Sequence, residues 1–163
     1  MPRDDEGAGR RTRTLTVAAE TPLTPAQALE MAYDFSDRRA DVWPNVNLKY
    51  LDVHELGAAS ADVTEGMWFL GHIWERCRYE WSDASGVTAT VRDSNILEPG
   101  STWHVEATDH DGRTQVVTTF VRRYRGGAKG RLAETLFRVL GAKLAAWDLR
   151  RALKAVERRE ADH

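Results

Sequence analysis

The sequence lacks several features that would assign it to a common class of proteins. Its 163 residues include a single cysteine, Cys77, so no intrachain disulfide can form, which is typical of a reducing compartment. No uncharged stretch approaches the roughly 20 residues that span a bilayer. The first residues include several acidic ones and fit neither a secretory signal nor a transit peptide. We therefore expect a cytoplasmic protein with no stable membrane insertion.

Known catalytic and metal-binding motifs are also missing. The five histidines show neither H-x-x-x-H nor H-E-x-x-H spacing, and there is no second cysteine to complete a metal site. No serine lies in a G-x-S-x-G elbow, and no glycine-rich phosphate loop occurs. The sequence therefore predicts no metal, no nucleotide and no other cofactor.

Charge is nearly balanced, with a formal net charge of −2, so no overall attraction to nucleic acid is expected. One basic run near the end of the sheet region is the exception; it comprises Arg122, Arg123, Arg125, Lys129 and Arg131. A solvated surface is the favoured interpretation. The alternative is an anion site at the start of the last helix, where the phosphopantetheine of an acyl carrier protein or a phospholipid head group would bind.

What is present is typical of one folded domain, because 42% of the residues are hydrophobic and 29% are charged. Residues 1–11 are polar and are predicted to form a disordered tail. Residues 12–160 are predicted to form a single domain.

The order of elements follows from periodicity. An alternating stretch at residues 13–20 predicts a strand, and Thr24, Pro25 and Gln27 predict the capped start of a short helix. Residues 48–125 alternate between strand patterns and turn signals, which indicates sequential hairpins. The predicted fold class is α+β, with a curved antiparallel sheet of about six or seven strands wrapped around a long C-terminal helix.

That last helix carries two apolar stripes. The first is an i, i+4 row of Leu132, Leu136, Leu140 and Leu144. The second, Leu149, Leu153 and Val156, falls almost opposite the first. We expect either a kink near Gly141 or two bodies that contact opposite faces of the helix.

Four stretches carry a resemblance to a known family: "TPAQALEMAYDFSDRRADVWP", "VTEG", "EPGSTWHVEAT" and "GRLAETLFRVLGAKL". They resemble START-like helix-grip domains of the SRPBCC superfamily, especially bacterial polyketide cyclase/dehydrase-like members, over nearly the whole chain after residue 11. The resemblance implies a deep cavity between the sheet and the C-terminal helix. Members hold lipids, sterols, hormones or polyketide intermediates there, and some aromatase/cyclases promote aldol cyclisation and dehydration without a metal or nucleotide cofactor.

Side chains that alternate toward such a cavity are the candidate ligand contacts. Tyr79, Trp81 and Trp103 share the apolar face of their strands. Each is either an ordinary core residue or part of a pocket wall. The full predicted set is Trp43, Tyr79, Trp81, Asp93, Asn95, Trp103, Phe120, Leu136 and Leu140.

The triplet Asp93, Ser94 and Asn95 ends a predicted strand. If the alternation of Val87, Ala89 and Val91 continues, Asp93 and Asn95 face the cavity and Ser94 faces away. A carboxylate in a low-dielectric cavity has a raised pKa and suits acid/base catalysis. The favoured alternative is that both side chains bond backbone groups at the strand end, and a bulge would reverse their orientation.

Three functions remain open. The first is binding of a hydrophobic lipid-like or polyketide-like molecule. The second is a cofactor-independent polyketide cyclase/dehydratase, with Asp93 as the acid/base and Asn95 or Tyr79 orienting a carbonyl. The third is a protein-interaction domain whose cavity is filled by side chains.

Overall fold

The computed structural model describes residues 12–69 and 71–163, so the predicted tail at residues 1–11 lies outside the described residues. The strands are β1 (Thr12–Thr21), β2 (Asp52–Leu56), β3 (Ser60–Trp68), β4 (His72–Glu80), β5 (Gly86–Ser94), β6 (Thr102–His110) and β7 (Arg113–Arg123). The helices are α1 (Pro25–Tyr33), α2 (Arg39–Val42) and α3 (Ala128–Ala161), with one 3-10 turn at Leu48–Tyr50.

All described strands form one antiparallel sheet in the order β1-β7-β6-β5-β4-β3-β2. Strands β2 to β7 pair as consecutive neighbours, as the turn signals predicted. The first strand pairs with the last one over its whole length, from Thr12 opposite Arg123 to Thr21 opposite Thr114. The predicted fold class, a curved antiparallel sheet with a long C-terminal helix, is confirmed.

Helix α1 begins where the sequence predicted. The amide of Gln27 donates to Thr24 Oγ1 at 3.3 Å, and the Gln27 side chain accepts from the Thr24 amide at 2.9 Å. This capping box satisfies donors that the first turn would otherwise leave free. The helix buries Ala28, Leu29, Met31 and Ala32 and packs against β5, β6, β7 and α3.

Helix α3 is one uninterrupted α-helix, and its two stripes lie in different surroundings. The second stripe is in the core, since Leu149, Leu153 and Val156 are buried. The first is not, because Leu132, Leu140 and Leu144 are exposed along one flank. The expectation of two bodies on opposite faces of α3 therefore holds for the second stripe only, because most of the first stripe is exposed.

Gly141 brings the first half of α3 close to the sheet. A Cβ at this position would lie 3.2 Å from the Phe137 ring and 3.5 Å from Leu15 Cδ2 on β1. The far end of α3 is fastened to α1, where Gln27 Nε2 donates to Glu160 Oε2 at 2.8 Å. Within residues 12–69 and 71–163, no helix is both long enough and apolar enough to cross a bilayer.

Strand β5 contains a bulge that corrects one prediction. Arg76 on β4 lies opposite Asp93, and the next residue, Cys77, lies opposite Val91, so Arg92 is an extra residue. A bulge of this kind puts two successive side chains on the same face. Ser94 is consequently the buried one, at 2% exposure, whereas the Asp93 side chain is 59% exposed. The predicted orientation of Asp93 and Ser94 was therefore wrong.

Candidate functional site: a two-chamber cavity

A cavity of about 350 Å³ lies between the sheet and the first half of α3. Its walls are mainly apolar and come from β3, β4, the segment after β5, β7 and α3. Residues that give it this character are Met67, Phe69, Ile73, Ile96, Leu97, Phe120, Leu132, Leu136, Phe137 and Leu144. Phe69, Leu132 and Leu144 are also exposed, so they border the mouth of this outer chamber.

A smaller chamber of about 100 Å³ lies deeper, against the centre of the sheet. Trp43, Trp103, Ala89, Val91 and Leu149 supply its apolar walls. The two chambers are adjacent, and we call their shared wall the neck; it comprises Asn45, Val46, Glu65, Glu75, Phe120, Arg122, Ala145 and Asp148. The outer chamber is therefore mainly apolar, and polar side chains concentrate at the neck and in the inner chamber.

A buried polar network lies on one side of this neck. The guanidinium of Arg39, 3% exposed, bonds both carboxylate oxygens of Glu65. The hydroxyl of Tyr79 donates to Glu65 Oε2 at 2.6 Å and accepts from Arg39 at 3.3 Å. Arg39 also donates to the carbonyls of Ala32 and Asp34 at 3.3 Å. Every member has partners, as a buried charged group requires.

The electrostatics of this network follow from burial and charge. Burial opposes the charged form of Arg39, but the Glu65 carboxylate outweighs it, so the pKa of Arg39 is raised. Burial, aided by Glu65, raises the pKa of Tyr79 well above its usual value. Arg39 is therefore cationic and the Tyr79 hydroxyl keeps its proton, which makes Tyr79 a hydrogen-bond donor at neutral pH.

Two further acidic groups lie at the neck. Glu75 forms an ion pair with Arg122 at 3.3 Å. Asp148, on α3, is half-buried, and among the described residues no hydrogen-bond partner reaches its carboxyl group. Burial raises the pKa of Asp148, with only partial opposition from Arg151. Burial therefore favours the protonated form of Asp148.

Solved structures share this architecture. The Zhui aromatase/cyclase from Streptomyces sp. R1128 superposes with a TM-score of 0.75 at 20% identity, covering 91% of this chain and 96% of that one. A protein of Thermus thermophilus gives 0.74 at 15% identity, covering 90% and 99%. A START superfamily protein from Mycobacterium smegmatis gives 0.62 at 10%, covering 90% and 95%.

The chain has the START-like helix-grip fold. The resemblance seen in the sequence is confirmed at this level. No family model matches the chain, and no curated protein matches it either. At such low identities the shared helix-grip fold does not transfer an activity.

Several predicted contacts do line the helix-grip cavity. Trp43, Tyr79 and Trp103 border the inner chamber, Leu136 borders the outer one, and Phe120 borders both. The rings of Trp43 and Trp103 meet edge to face, with centroids 5.5 Å apart. Trp43 is fixed by a bond from Nε1 to the Met31 carbonyl at 2.8 Å. These aromatic side chains form a rigid inner wall.

Other predicted contacts lie elsewhere. Trp81 stacks on Tyr33 of α1, with centroids 5.2 Å apart, and is not among the residues that line either chamber. Leu140 lies on the exposed flank of α3. Asn95 accepts from the Trp74 amide at 3.1 Å and donates to the His72 carbonyl at 2.7 Å. Its side chain thus fastens the end of β5 to β4, as the alternative interpretation proposed.

Asp93 lies on the outer surface, where its carboxylate pairs with Arg125 at 3.0 Å. The buried neighbour, Ser94, donates to the Trp74 carbonyl at 2.9 Å and accepts from the amides of Ile96 and Leu97. The geometric basis for Asp93 as an acid/base is therefore removed. Ser94 borders the outer chamber, but its hydrogen bonds give it a structural role.

Most of the basic run is engaged locally. Arg122 lies in the neck, while Arg123 and Arg125 donate to the carbonyls of Pro99 and Ser94 at 2.7 and 2.6 Å. Lys129 donates to the His72 carbonyl at 2.6 Å and borders the outer chamber. Arg131 is exposed.

Sequence reasoning missed the interior charges of Arg39, Glu65, Glu75 and Asp148. Alternation gave a signal for two of them. Glu65 follows the buried Ala61 and Val63 at intervals of two, and Glu75 precedes Cys77 and Tyr79 in the same way. No comparable pattern marks Arg39, which lies in a short helix whose sequence is typical of a polar loop.

Proposed function

We propose that this protein binds a hydrophobic small molecule, lipid-like or polyketide-like, between its sheet and α3. The observation that carries the proposal is the open, mainly apolar cavity of about 350 Å³. Its volume falls in the range of ligand pockets, roughly 300–1,000 Å³. The third hypothesis required a cavity filled by side chains, and this open volume argues against it.

The polar neck restricts the chemistry of the ligand. Charged and amide groups surround the middle of the cavity, among them Glu65, Arg122 and Asp148. Glu65 and Arg122 are paired within the protein, but a pure hydrocarbon would leave the Asp148 carboxyl group buried without a partner, which is unfavourable. The ligand is therefore an apolar molecule that carries oxygen functions along its length.

The cavity proposal is tested by blocking the neck. Ala145 borders both chambers, and Ala145→Phe would fill the passage between them. Binding of the fluorophore N-phenyl-naphthylamine should fall by about tenfold or more, because burial of apolar surface provides most of its affinity. Val139→Phe is the matched control, since Val139 is exposed on the same helix and does not line the cavity.

Retention of binding in the Ala145→Phe variant would contradict the proposal. Native mass spectrometry of protein purified from its own host supplies a second readout. A bound small molecule in the wild-type protein, absent from the Ala145→Phe variant, is the expected result. Consistently empty wild-type protein would count against the proposed function.

A second candidate function is a cofactor-independent cyclase/dehydratase, with Asp148 rather than Asp93 as the acid/base. The half-buried carboxyl group of Asp148 at the neck favours it, because a raised pKa suits proton transfer near neutral pH. A neutral Tyr79 and the Arg122–Glu75 pair border the same space. Structures of similar fold include aromatase/cyclases such as Zhui and the di-domain StfQ of the steffimycin pathway, the latter with a TM-score of 0.71 at 15% identity.

Turnover of a model poly-β-ketone distinguishes the two aspartates. Asp148→Asn should reduce the rate by about 100-fold or more, as loss of a general acid/base does. Asp93→Asn should leave the rate unchanged, because Asp93 lies on the outer surface. Equal rates for the wild type and Asp148→Asn would eliminate this role.

We also propose an acyl carrier protein as a partner that binds to the basic run. Exposed Arg131 and Lys129 lie at the start of α3, beside the mouth of the outer chamber. Arg131→Glu should weaken binding of a carrier protein in calorimetry, whereas Arg113→Glu, on the β6–β7 hairpin, should not. Equal affinities of the two variants for the carrier protein would show that the basic run is not the contact surface.

A further inference from the structure

Thr118 is a buried polar residue that no part of the fold explains. It belongs to the inward-facing row of β7, between Val116 and Phe120, and it borders the inner chamber. The residue is 3% exposed, and its Oγ1 has no hydrogen-bond partner among the described residues. Buried hydroxyl groups are normally bonded, so this one requires an explanation.

The surroundings of Thr118 favour valine. In the sheet it pairs with Val17 on β1 and with Val105 on β6, and Val116 precedes it on the same face. Valine has nearly the same shape and would bury no unbonded hydroxyl. By contrast, the next residue, Thr119, faces the opposite side and its hydroxyl lies 3.2 Å from that of Thr16. The cost of burying the Thr118 hydroxyl is therefore not offset by a hydrogen bond from any described residue, which is unfavourable.

We propose that the inner chamber is a subsite for the oxygen-bearing end of the ligand, a phenol-type hydroxyl or a carbonyl, which the hydroxyl of Thr118 recognises. The proposal rests on the proposed ligand-binding function and names the polarity of the end that enters first. A threonine hydroxyl both donates and accepts, so it satisfies either group. The apolar walls of this chamber include Trp43, Trp103 and Leu149. Its charged residues form pairs, Arg39 with Glu65 and Arg122 with Glu75, whereas Thr118 Oγ1 has no hydrogen-bond partner among the described residues.

The size of the chamber limits what enters. A volume of about 100 Å³ is smaller than the roughly 150 Å³ of an engineered cavity that admits benzene. The chamber therefore holds no more than the end of one ring, the end that carries the oxygen, and the rest of the molecule lies toward the outer chamber. Two hydroxyl groups line the chamber, and that of Tyr79 is already bonded to Glu65. The Thr118 hydroxyl is therefore the one that stays available to the ligand.

A pair of probes of equal shape tests the subsite: para-butylphenol and para-butyltoluene, which differ only in a hydroxyl for a methyl group. Calorimetry gives the ratio of their dissociation constants. In the wild type the phenol should be favoured, and Thr118→Val should reduce this preference by about tenfold. Thr118→Ser, which keeps the hydroxyl, should retain the preference. Thr119→Val is the matched control on the outer face and should also retain it.

The same variants give a structural readout. Thr118→Val should have a melting temperature at or above that of the wild type, because it removes an unbonded hydroxyl. A lowered melting temperature would contradict the inference that the hydroxyl is unfavourable in the unliganded protein. If both probes bind and Thr118→Val leaves the ratio of their dissociation constants unchanged, the subsite proposal is wrong and the ligand-binding proposal stands. If neither probe binds to the wild type, the proposed ligand-binding function fails together with it.

Discussion

At the scale of single residues, Arg39 has the largest number of buried polar contacts in the site. Its guanidinium bonds Glu65, Tyr79 and two backbone carbonyls and lies 4.5 Å from the centroid of the Phe35 ring. Arg39 is buried, so these protein groups satisfy its hydrogen-bond donors. The neck of the cavity therefore depends on this one side chain.

Arg39→Met should lower the free energy of unfolding by about 3 kcal/mol or more, because it leaves the Glu65 carboxylate without its buried partner. Urea unfolding measures the loss. The neighbouring Arg38→Met is the control, since Arg38 makes a surface pair with Asp34 worth about 0–1 kcal/mol. Similar losses in both variants would show that the buried network does not stabilise the fold.

Asp148 gives stability a pH dependence. Burial raises the pKa of Asp148 in the folded state. Its stabilising contribution to the free energy of unfolding is therefore fully present below the unfolded pKa of about 4 and is lost as the pH rises through the folded pKa. Asp148→Asn should therefore have a higher melting temperature than the wild type at pH 7. The difference should disappear below about pH 4, and a difference independent of pH would contradict this assignment.

Single residues also show which parts of the site the sequence predicted. Tyr79 and Trp103 lie on strands whose alternation is regular around them, so their inward orientation followed from the pattern. The inward positions of Arg39 and Asp148 did not, because charged residues are usually exposed and composition alone places them at the surface. Their position inside depends on partners distant in sequence, which alternation cannot indicate.

At the scale of elements, the bulge in β5 decides the roles of two adjacent residues. Ser94→Ala should lower the free energy of unfolding by about 1–3 kcal/mol, since it leaves the amides of Ile96 and Leu97 without their acceptor. Asp93→Ala should cost no more than about 1 kcal/mol, because its ion pair with Arg125 is exposed. Chemical denaturation of both variants measures the difference, and the opposite order would contradict the register.

Elements also show why the fold was easier to predict than the site. Hairpin turns, the capping box of α1 and the 3.6-residue period of α3 are local signals, and the structure confirms the elements they predicted. The bulge arises from pairing between β4 and β5, so nothing within β5 indicates it. The two stripes of α3 were visible, but which one lies in the core depends on how α1 and the sheet pack against the helix.

At the scale of the whole molecule, α3 combines two roles. Its second half is held in the core and by α1, for example through the Arg159–Glu30 pair at 3.2 Å. Its first half covers the cavity and leaves Leu132, Val139 and Leu144 exposed. Local stability should therefore differ along a single helix.

Hydrogen exchange measures this difference. Amides in residues 131–145 should exchange faster than those in residues 149–158, after correction for intrinsic rates, because fewer buried contacts hold them. Addition of para-butylphenol should slow exchange in the first half more than in the second. Uniform protection along α3 would contradict the division.

The extra residue in β5 also bears on how related chains are aligned. Because Arg92 and Asp93 share the outer face, a chain that lacks Arg92 keeps Asp93 outside and Ser94 inside with no bulge at all. Length can thus vary by one residue here while every inward side chain on the strand is preserved. For a relative that is one residue shorter in this strand, the gap belongs at position 92. A gap placed after Ser94 instead would equate Asp93 with an inward residue of that relative and assign it to a cavity that it does not face.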